Sequence, residues 1–233
     1  MIILALDSTA TASAAALLCD GVCLCKAQNI DGGTHSCTLL PTIERLLAEA
    51  HLTIPDIDLF AASAGPGSFT GVRIGAATLK GLAFGQNKPC VPVSALHALA
   101  YNLRGSDGVV CALMDARRGQ FYTATFEIKD GRVTRLSPDA AKSGEEIAAD
   151  LADFPSVTLC GDGAKIALPY FAGNAHLCKE EYRLCDGESV ARLAAQMYED
   201  GISVTDAAFA PTYLRLPQAE RERLEKLKNG ERV

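Results

Sequence analysis

Two aspartates occupy matching positions in the sequence, each directly after a run of apolar residues. Asp7 follows the run at residues 2–6, and Asp115 follows the run at residues 109–114. Continuous apolar runs of this length are typical of buried strands, so both carboxylates are expected at strand ends. Two carboxylates in one cleft can hold a divalent metal for nucleotide chemistry. The alternative is that each aspartate caps the loop after its own strand.

A glycine-rich segment, Gly-Pro-Gly-Ser-Phe-Thr-Gly at residues 65–71, lies between an apolar run and a helical pattern. The free amides and positive end of a helix attract anions, so a loop of this kind can bind a phosphate. The order of residues matches neither phosphate-binding consensus, and it is not the serine-hydrolase elbow. The alternative is a tight turn in which glycine lets two backbones pack closely.

Two adjacent arginines follow the second aspartate, in Asp-Ala-Arg-Arg-Gly at residues 115–119. A guanidinium in a turn can bind a carboxylate or a phosphate, and the alternative is that both arginines are solvated. The loop, the aspartates and the nearby arginines give one set of candidate contacts to a nucleotide or phosphate: Asp7, Gly65, Gly67, Ser68, Thr70, Arg73, Asp115, Arg117 and Arg118.

The histidines and cysteines give no pattern typical of a metal site. The four histidines include no H-x-x-x-H pair, and the nine cysteines include no C-x-x-C pair. Neither residue type therefore predicts a zinc site, and no metal or cofactor is expected. The odd number of cysteines, several of them inside apolar runs, favours reduced thiols over a disulfide framework.

Composition and charge exclude several classes of protein. With 48% hydrophobic and 21% charged residues, the 233-residue chain has the balance of a globular protein. The formal net charge of -6 disfavours a protein that binds RNA by itself, because phosphate contacts require a basic surface. The start of the sequence lacks a basic region and a signal peptide, and no apolar stretch approaches the length of a membrane span. We therefore expect a cytoplasmic protein without a membrane partner.

The elements that position these residues form two similar series, each with a strand, an aspartate, a hairpin and a third strand. In the first half, Asp20-Gly21 predicts the hairpin turn, and in the second half Lys129-Asp130-Gly131 marks a turn. A polar, glycine-rich stretch at residues 104–108 separates the halves. The pattern predicts a duplicated α/β fold with mixed sheets. The predicted units are an N-terminal lobe at residues 1–106, a C-terminal lobe at 107–217 and a charged tail at 218–233.

Two predicted helices of the first half have surfaces that indicate close packing against another element. The first, predicted at residues 39–50 with Pro41 in its first turn, has a wide apolar stripe. The second, predicted at residues 72–84, is rich in glycine and alanine, which indicates that another element lies close against it. That element is either part of the same chain or another subunit.

Three segments together resemble the bacterial TsaB (YeaZ) family. They are Leu-Ala-Leu-Asp-Ser-Thr at residues 4–9, Ala-Gly-Pro-Gly-Ser-Phe-Thr-Gly-Val-Arg-Ile-Gly at 64–75, and Met-Asp-Ala-Arg-Arg-Gly-Gln-Phe-Tyr at 114–122. Pro-Thr-Tyr-Leu-Arg at residues 211–215 fits the same family. The resemblance implies a two-lobed actin/Hsp70-like fold of the sugar-kinase, ribonuclease H-like superfamily.

The resemblance also implies a function and partners. The family takes part in making threonylcarbamoyladenosine beside the tRNA anticodon, where TsaB dimerises with the similar transferase TsaD and the ATPase TsaE docks on the pair. A homodimer is expected when the chain is alone, and tRNA is expected to be bound only through the complex. The implied partner contacts lie on the two helices above: Leu39, Leu40, Ile43, Leu46, Leu47, Val72, Gly75, Ala76, Leu79 and Leu82.

A departure from the TsaD pattern implies that the chain is not the catalyst. TsaD-type proteins have an H-x-x-x-H metal pair shortly after the Gly-Pro-Gly helix, and Ala95 and Leu99 occupy those places here. Neither side chain can bind a metal, and His97 lies between them. The expected role is therefore a pseudo-enzyme subunit with no catalytic residues. The alternative is an enzyme of the same fold, either a nucleotide-dependent phosphotransferase or a peptidase.

Overall fold

The computed structural model describes residues 1–30 and 33–215, whose strands form two mixed sheets. The first sheet contains β1 (Ile2–Asp7), β2 (Ser13–Cys19), β3 (Val22–Asn29), β4 (Leu59–Gly65) and β5 (Cys90–Ser94). Its strand order is β3-β2-β1-β4-β5. The first three strands pair antiparallel, whereas β4 lies parallel to both β1 and β5.

The second sheet repeats this plan. It contains β6 (Gly108–Asp115), β7 (Gln120–Lys129), β8 (Arg132–Arg135), β9 (Ala140–Ser143), β10 (Val157–Cys160) and β11 (Ala175–Leu177). The order is β11-β10-β6-β7-β8, with β9 also paired to β7. The antiparallel strands β6, β7 and β8 correspond to β1, β2 and β3, and the parallel strand β10 corresponds to β4. This duplication confirms the predicted two-lobed, actin/Hsp70-like fold.

Six α-helices connect and cover the sheets within the described residues. They are α1 (His35–Glu49), α2 (Phe69–Ala83), α3 (Ala95–Tyr101), α4 (Gly144–Asp150), α5 (Ala164–Ala167) and α6 (Gly187–Glu199). Ser143 and Glu146 form a reciprocal capping box at the start of α4. No helix among the described residues is long and apolar enough to cross a membrane.

Two helix starts differ from the prediction. Helix α1 begins four residues earlier than expected, so Pro41 lies inside the helix and not in its first turn. The side chain of Pro41 is on the exposed side of α1, where water can satisfy the carbonyl group that proline leaves unbonded. Helix α2 begins at Phe69, because Ser68 caps it by accepting a hydrogen bond from the Gly71 amide at 3.3 Å.

The chain after residue 185 returns to the first sheet. Val190 and Ala194 of α6 are fully buried against residues of β1 and β2. Val204 then pairs with Cys90 of β5, and Phe209 is buried in the core of the first lobe. A division at residue 106 separates the two sheets, yet much of the cover of the first sheet comes from the segment after that point. The predicted tail at residues 218–233 lies outside the described residues.

Candidate functional site

A cleft of about 750 Å³ lies between the lobes, at the carboxyl ends of the central strands. This is the position where open α/β sheets bind ligands. Five of the candidate phosphate contacts line the cleft: Gly67, Ser68, Thr70, Asp115 and Arg117. The opposite walls contribute Thr9 and Thr11 from the first lobe and Asp162 from the second.

The glycines of the loop at residues 65–71 pack directly against other backbone segments. A Cβ atom added at Gly67 would lie 2.3 Å from the Thr9 carbonyl oxygen, and one at Gly71 would lie 2.0 Å from the Ser8 carbonyl oxygen. The Ser68 amide also donates a hydrogen bond to the Thr9 carbonyl at 2.7 Å. The chain's own β1–β2 loop therefore fills the space beside these glycines, which favours the tight-turn interpretation over an open phosphate loop.

Asp7 caps the loop that follows its strand. Its Oδ1 atom accepts hydrogen bonds from the amide and the hydroxyl group of Thr9, both at 2.8 Å. The residue is only 1% exposed, and Thr9 lines the cleft in its place. This geometry favours the capping interpretation of Asp7. Among the described residues, no group of three or more His, Cys, Asp or Glu side chains is placed to hold a metal ion.

Asp115 does lie in the cleft, next to a second carboxylate that the sequence analysis did not select. The Asp115 amide donates to Asp162 Oδ1 at 3.2 Å, and Asp115 Oδ1 accepts from the Arg117 amide at 2.8 Å. Burial raises the pKa of Asp162, and the nearby Asp115 charge adds to the rise. The sequence feature that could have identified Asp162 as a cleft residue is Gly-Asp-Gly at residues 161–163, directly after a buried strand. Gly161 has a φ of +99° and lets the chain turn so that Asp162 enters the cleft.

The two arginines lie in a strained turn at the edge of the cleft. Arg117 and Arg118 have φ values of +67° and +56°, a left-handed conformation that glycine and asparagine adopt more easily. The Arg117 side chain is 84% exposed, with Nη1 3.5 Å from Asp115 Oδ2. The turn thus places the Arg117 side chain beside Asp115.

Replacement of Asp162 tests the effect of its buried charge. Because its folded-state pKa lies above the ordinary value of 3.8, the folded protein binds this proton more tightly than the unfolded chain does. The stability that protonation provides is full below that ordinary value and is lost as the pH rises through the folded-state pKa. We therefore expect Asp162→Asn to gain stability relative to wild type as the pH rises from below 3.8 to neutral.

Thermal unfolding at several pH values measures this difference. The matched control is Asp153→Asn, which removes one carboxylate from an exposed position. A stability difference between Asp162→Asn and wild type that does not change with pH would contradict the raised pKa of Asp162.

Most of the predicted partner contacts on α1 and α2 are buried inside the chain itself. Eight of the ten residues, Leu39, Ile43, Leu46, Leu47, Val72, Gly75, Ala76 and Leu79, are buried. Their prediction as partner contacts is therefore wrong, because a helix stripe that covers its own sheet cannot also reach a partner. The two others remain accessible: Leu40 is 43% exposed, and Leu82 is partly exposed.

The two places that the family resemblance assigns to the TsaD metal pair are apolar and enclosed. Ala95 and Leu99 are 2% and 3% exposed and belong to one hydrophobic cluster. His97 stacks on Phe126 with ring centroids 5.1 Å apart. Burial lowers the pKa of His97 to about 4, and the Arg135 charge acts in the same direction. His97 is thus a neutral, packed side chain at neutral pH.

Fold and cleft together define a two-lobed protein of the actin/Hsp70-like class. A model of the family described as "TsaD: tRNA N6-adenosine threonylcarbamoyltransferase" matches residues 30–222. The tRNA threonylcarbamoyladenosine biosynthesis protein TsaB of Escherichia coli is 30% identical over 230 residues, which span 92% of this chain and 95% of that protein. The chain belongs to the TsaB (YeaZ) family.

Two further comparisons agree. TsaB of Bacillus subtilis is 35% identical over 139 residues, but the match spans only 60% of this chain and 61% of that protein. The structure of YeaZ from Pseudomonas aeruginosa superimposes with a TM-score of 0.81 at 27% identity, over 91% of this chain and 99% of that one. These matches confirm the resemblance that the sequence motifs indicated.

Proposed function

We propose that this chain acts in the synthesis of threonylcarbamoyladenosine in tRNA, as a non-catalytic subunit that dimerises with TsaD. TsaE docks on the pair, and tRNA is bound through the complex. The names of the E. coli and B. subtilis relatives support the pathway. The observation that carries the non-catalytic role is the pair of apolar, buried side chains at the metal-ligand places, Ala95 and Leu99.

The surface proposed for dimerisation is the outward face of α1 and α2, which replaces the buried residues first predicted. On α2 this face contains Ala77 and Gly81, with Ile74 and Leu82 partly exposed beside them. A Cβ atom added at Gly81 would have no atom of the chain within 4 Å. Small and apolar residues on one exposed helix face allow a second helix to approach closely. A second copy of the chain is the proposed occupant when TsaD is absent.

Gly81→Arg tests this surface. The variant is expected to fold, because its side chain points into open space. It is expected to pair with TsaD at least about 100-fold more weakly, because pairing would bury an unpaired cation. Threonylcarbamoyladenosine formation in a reconstituted system should fall in proportion. Circular dichroism measures folding, and size-exclusion chromatography with TsaD measures pairing.

The matched control is Gly81→Ala, which removes a glycine from a helix interior without adding bulk. It should pair normally and be more stable by about 0.5–1 kcal/mol. A folded Gly81→Arg protein that pairs like wild type would show that the interface lies elsewhere.

The non-catalytic role has a separate test. Purified protein without TsaD should show neither ATP turnover nor proteolysis above background. An activity that Ser68→Ala or Asp115→Ala abolishes would overturn the role and favour a phosphotransferase or a peptidase.

A further inference from the structure

The last described residues, 211–215, cross the mouth of the cleft, and we call them the strap. The segment before the strap is fixed to the first lobe by Phe209, which is only 2% exposed. Lys80 of α2 donates hydrogen bonds to the carbonyl groups of Ala207 and Phe209, at 2.9 and 3.1 Å. The Thr212 amide then donates to the Ala64 carbonyl at 2.7 Å, near the end of β4.

Gly65 shows how closely the strap follows this strand. A Cβ atom added at Gly65 would lie 2.5 Å from the Thr212 carbonyl oxygen. The backbone of the strap therefore lies against the glycine-rich loop at Gly65, just as the backbone of Thr9 lies against it at Gly67.

Tyr213 holds the middle of the strap to the start of α2. Its ring packs on Phe69 with centroids 5.0 Å apart, and its hydroxyl oxygen accepts a hydrogen bond from Arg73 Nε at 3.0 Å. The Arg73 guanidinium also lies 3.8 Å from the centroid of the Phe69 ring. These contacts keep Tyr213 on the first lobe although its side chain is 44% exposed.

Arg215 reaches the opposite lobe. Its Nη1 atom donates a hydrogen bond to the carbonyl oxygen of Ala116 at 2.9 Å, in the turn between β6 and β7. A hydrogen bond with a charged donor is stronger than one between neutral groups. The strap is thus fixed to one lobe along most of its length and to the other by a guanidinium.

We propose that the strap is a releasable clasp that holds the two lobes at their present separation and controls access to the cleft. Buried side chains of α3 pack against β6 and β7 and already join the lobes. At the mouth of the cleft the strap adds a second connection, through Tyr213 on one side and Arg215 on the other. The hydrogen bond from Arg215 to the Ala116 carbonyl is only partly buried, so it can break without unfolding either lobe.

Hydrogen exchange of the full chain, followed by mass spectrometry, tests the clasp. Arg215→Ala should increase exchange about fivefold in peptides that contain the amides of Asp115 and Gln120, because losing one charged hydrogen bond changes an opening equilibrium by about that factor. Exchange in α6 should not change. Arg215→Lys, which retains a cationic donor, should restore part of the protection. Tyr213→Ala should have the same effect as Arg215→Ala.

The control is Tyr198→Ala, which removes a 39% exposed tyrosine from α6, away from the cleft. It should leave exchange at the cleft unchanged. Two results would overturn the proposal. One is unchanged exchange at the cleft in both strap variants. The other is a uniform increase that includes α6, which would mean that the strap contributes only to global stability.

Discussion

Gly75→Arg is expected to abolish folding. A Cβ atom at Gly75 would lie 2.7 Å from Ser8 Oγ and 3.4 Å from Leu6 Cδ1, so the longer side chain would enter the core between α2 and β1. The Ser8 hydroxyl already donates a hydrogen bond to the Gly71 carbonyl at 2.8 Å. Burial of an unpaired guanidinium costs several kcal/mol, which is comparable with the total stability of 5–15 kcal/mol typical of proteins.

Circular dichroism and urea unfolding measure this effect, and Gly81→Arg provides the matched control. Both substitutions place an arginine on α2, but Gly81 faces open space. Soluble, cooperatively folded Gly75→Arg protein with the urea midpoint of wild type would contradict the orientation of α2. If it also failed to pair with TsaD, the partner surface first predicted for Gly75 would be restored.

Local features of the fold could be predicted because their cause lies within a few residues. Asp20 and Gly21 have φ values of +46° and +80°, as a two-residue hairpin between twisted strands requires. Ser94 accepts a hydrogen bond from the His97 amide at 3.3 Å and so caps α3, as serine often does just before a helix. In each case the residue type determines the backbone geometry at that position.

The sequence could not predict in the same way which face of a helix packs inside the chain and which face is free for a partner. The stripe on α1 is apolar because it covers the first sheet, where Ile43 and Leu46 are fully buried. A partner surface would produce the same pattern of residues. Gly75 and Gly81 are likewise indistinguishable in sequence, although one lies against Ser8 and the other faces solvent. Only the tertiary packing decides between them.

The walls of the cleft depend on contacts between distant parts of the chain. Asp162 was missed because its importance arises from the amide of Asp115, 47 residues away. In sequence, Arg215 is only the last residue of the Pro-Thr-Tyr-Leu-Arg segment, and its contact with Ala116 spans 99 residues. Asp7 was selected because it follows an apolar run like that before Asp115. The structure distinguishes the two, since only Asp115 lines the cleft.

Phe209→Ala is expected to destabilise the protein by about 3–5 kcal/mol, the usual loss when a large buried aromatic side chain is truncated. Phe209 is 2% exposed and lies in the same hydrophobic cluster as Phe60 and Leu79 of the first lobe. The segment that contains it is far from this lobe in sequence but completes its core. Phe60→Ala, in the middle of the first sheet, should therefore cause a loss of similar size.

Urea unfolding of the full chain measures both losses, and Phe84→Ala is the control. Phe84 is 77% exposed, so its truncation should change the free energy of unfolding by no more than about 0.5 kcal/mol. A loss below about 1 kcal/mol for Phe209→Ala, beside a large loss for Phe60→Ala, would mean that the C-terminal segment only rests on the first lobe. Equal losses mean that this segment is part of the first lobe's core. The strap then starts from a fixed point, and only its contacts with the second lobe can release.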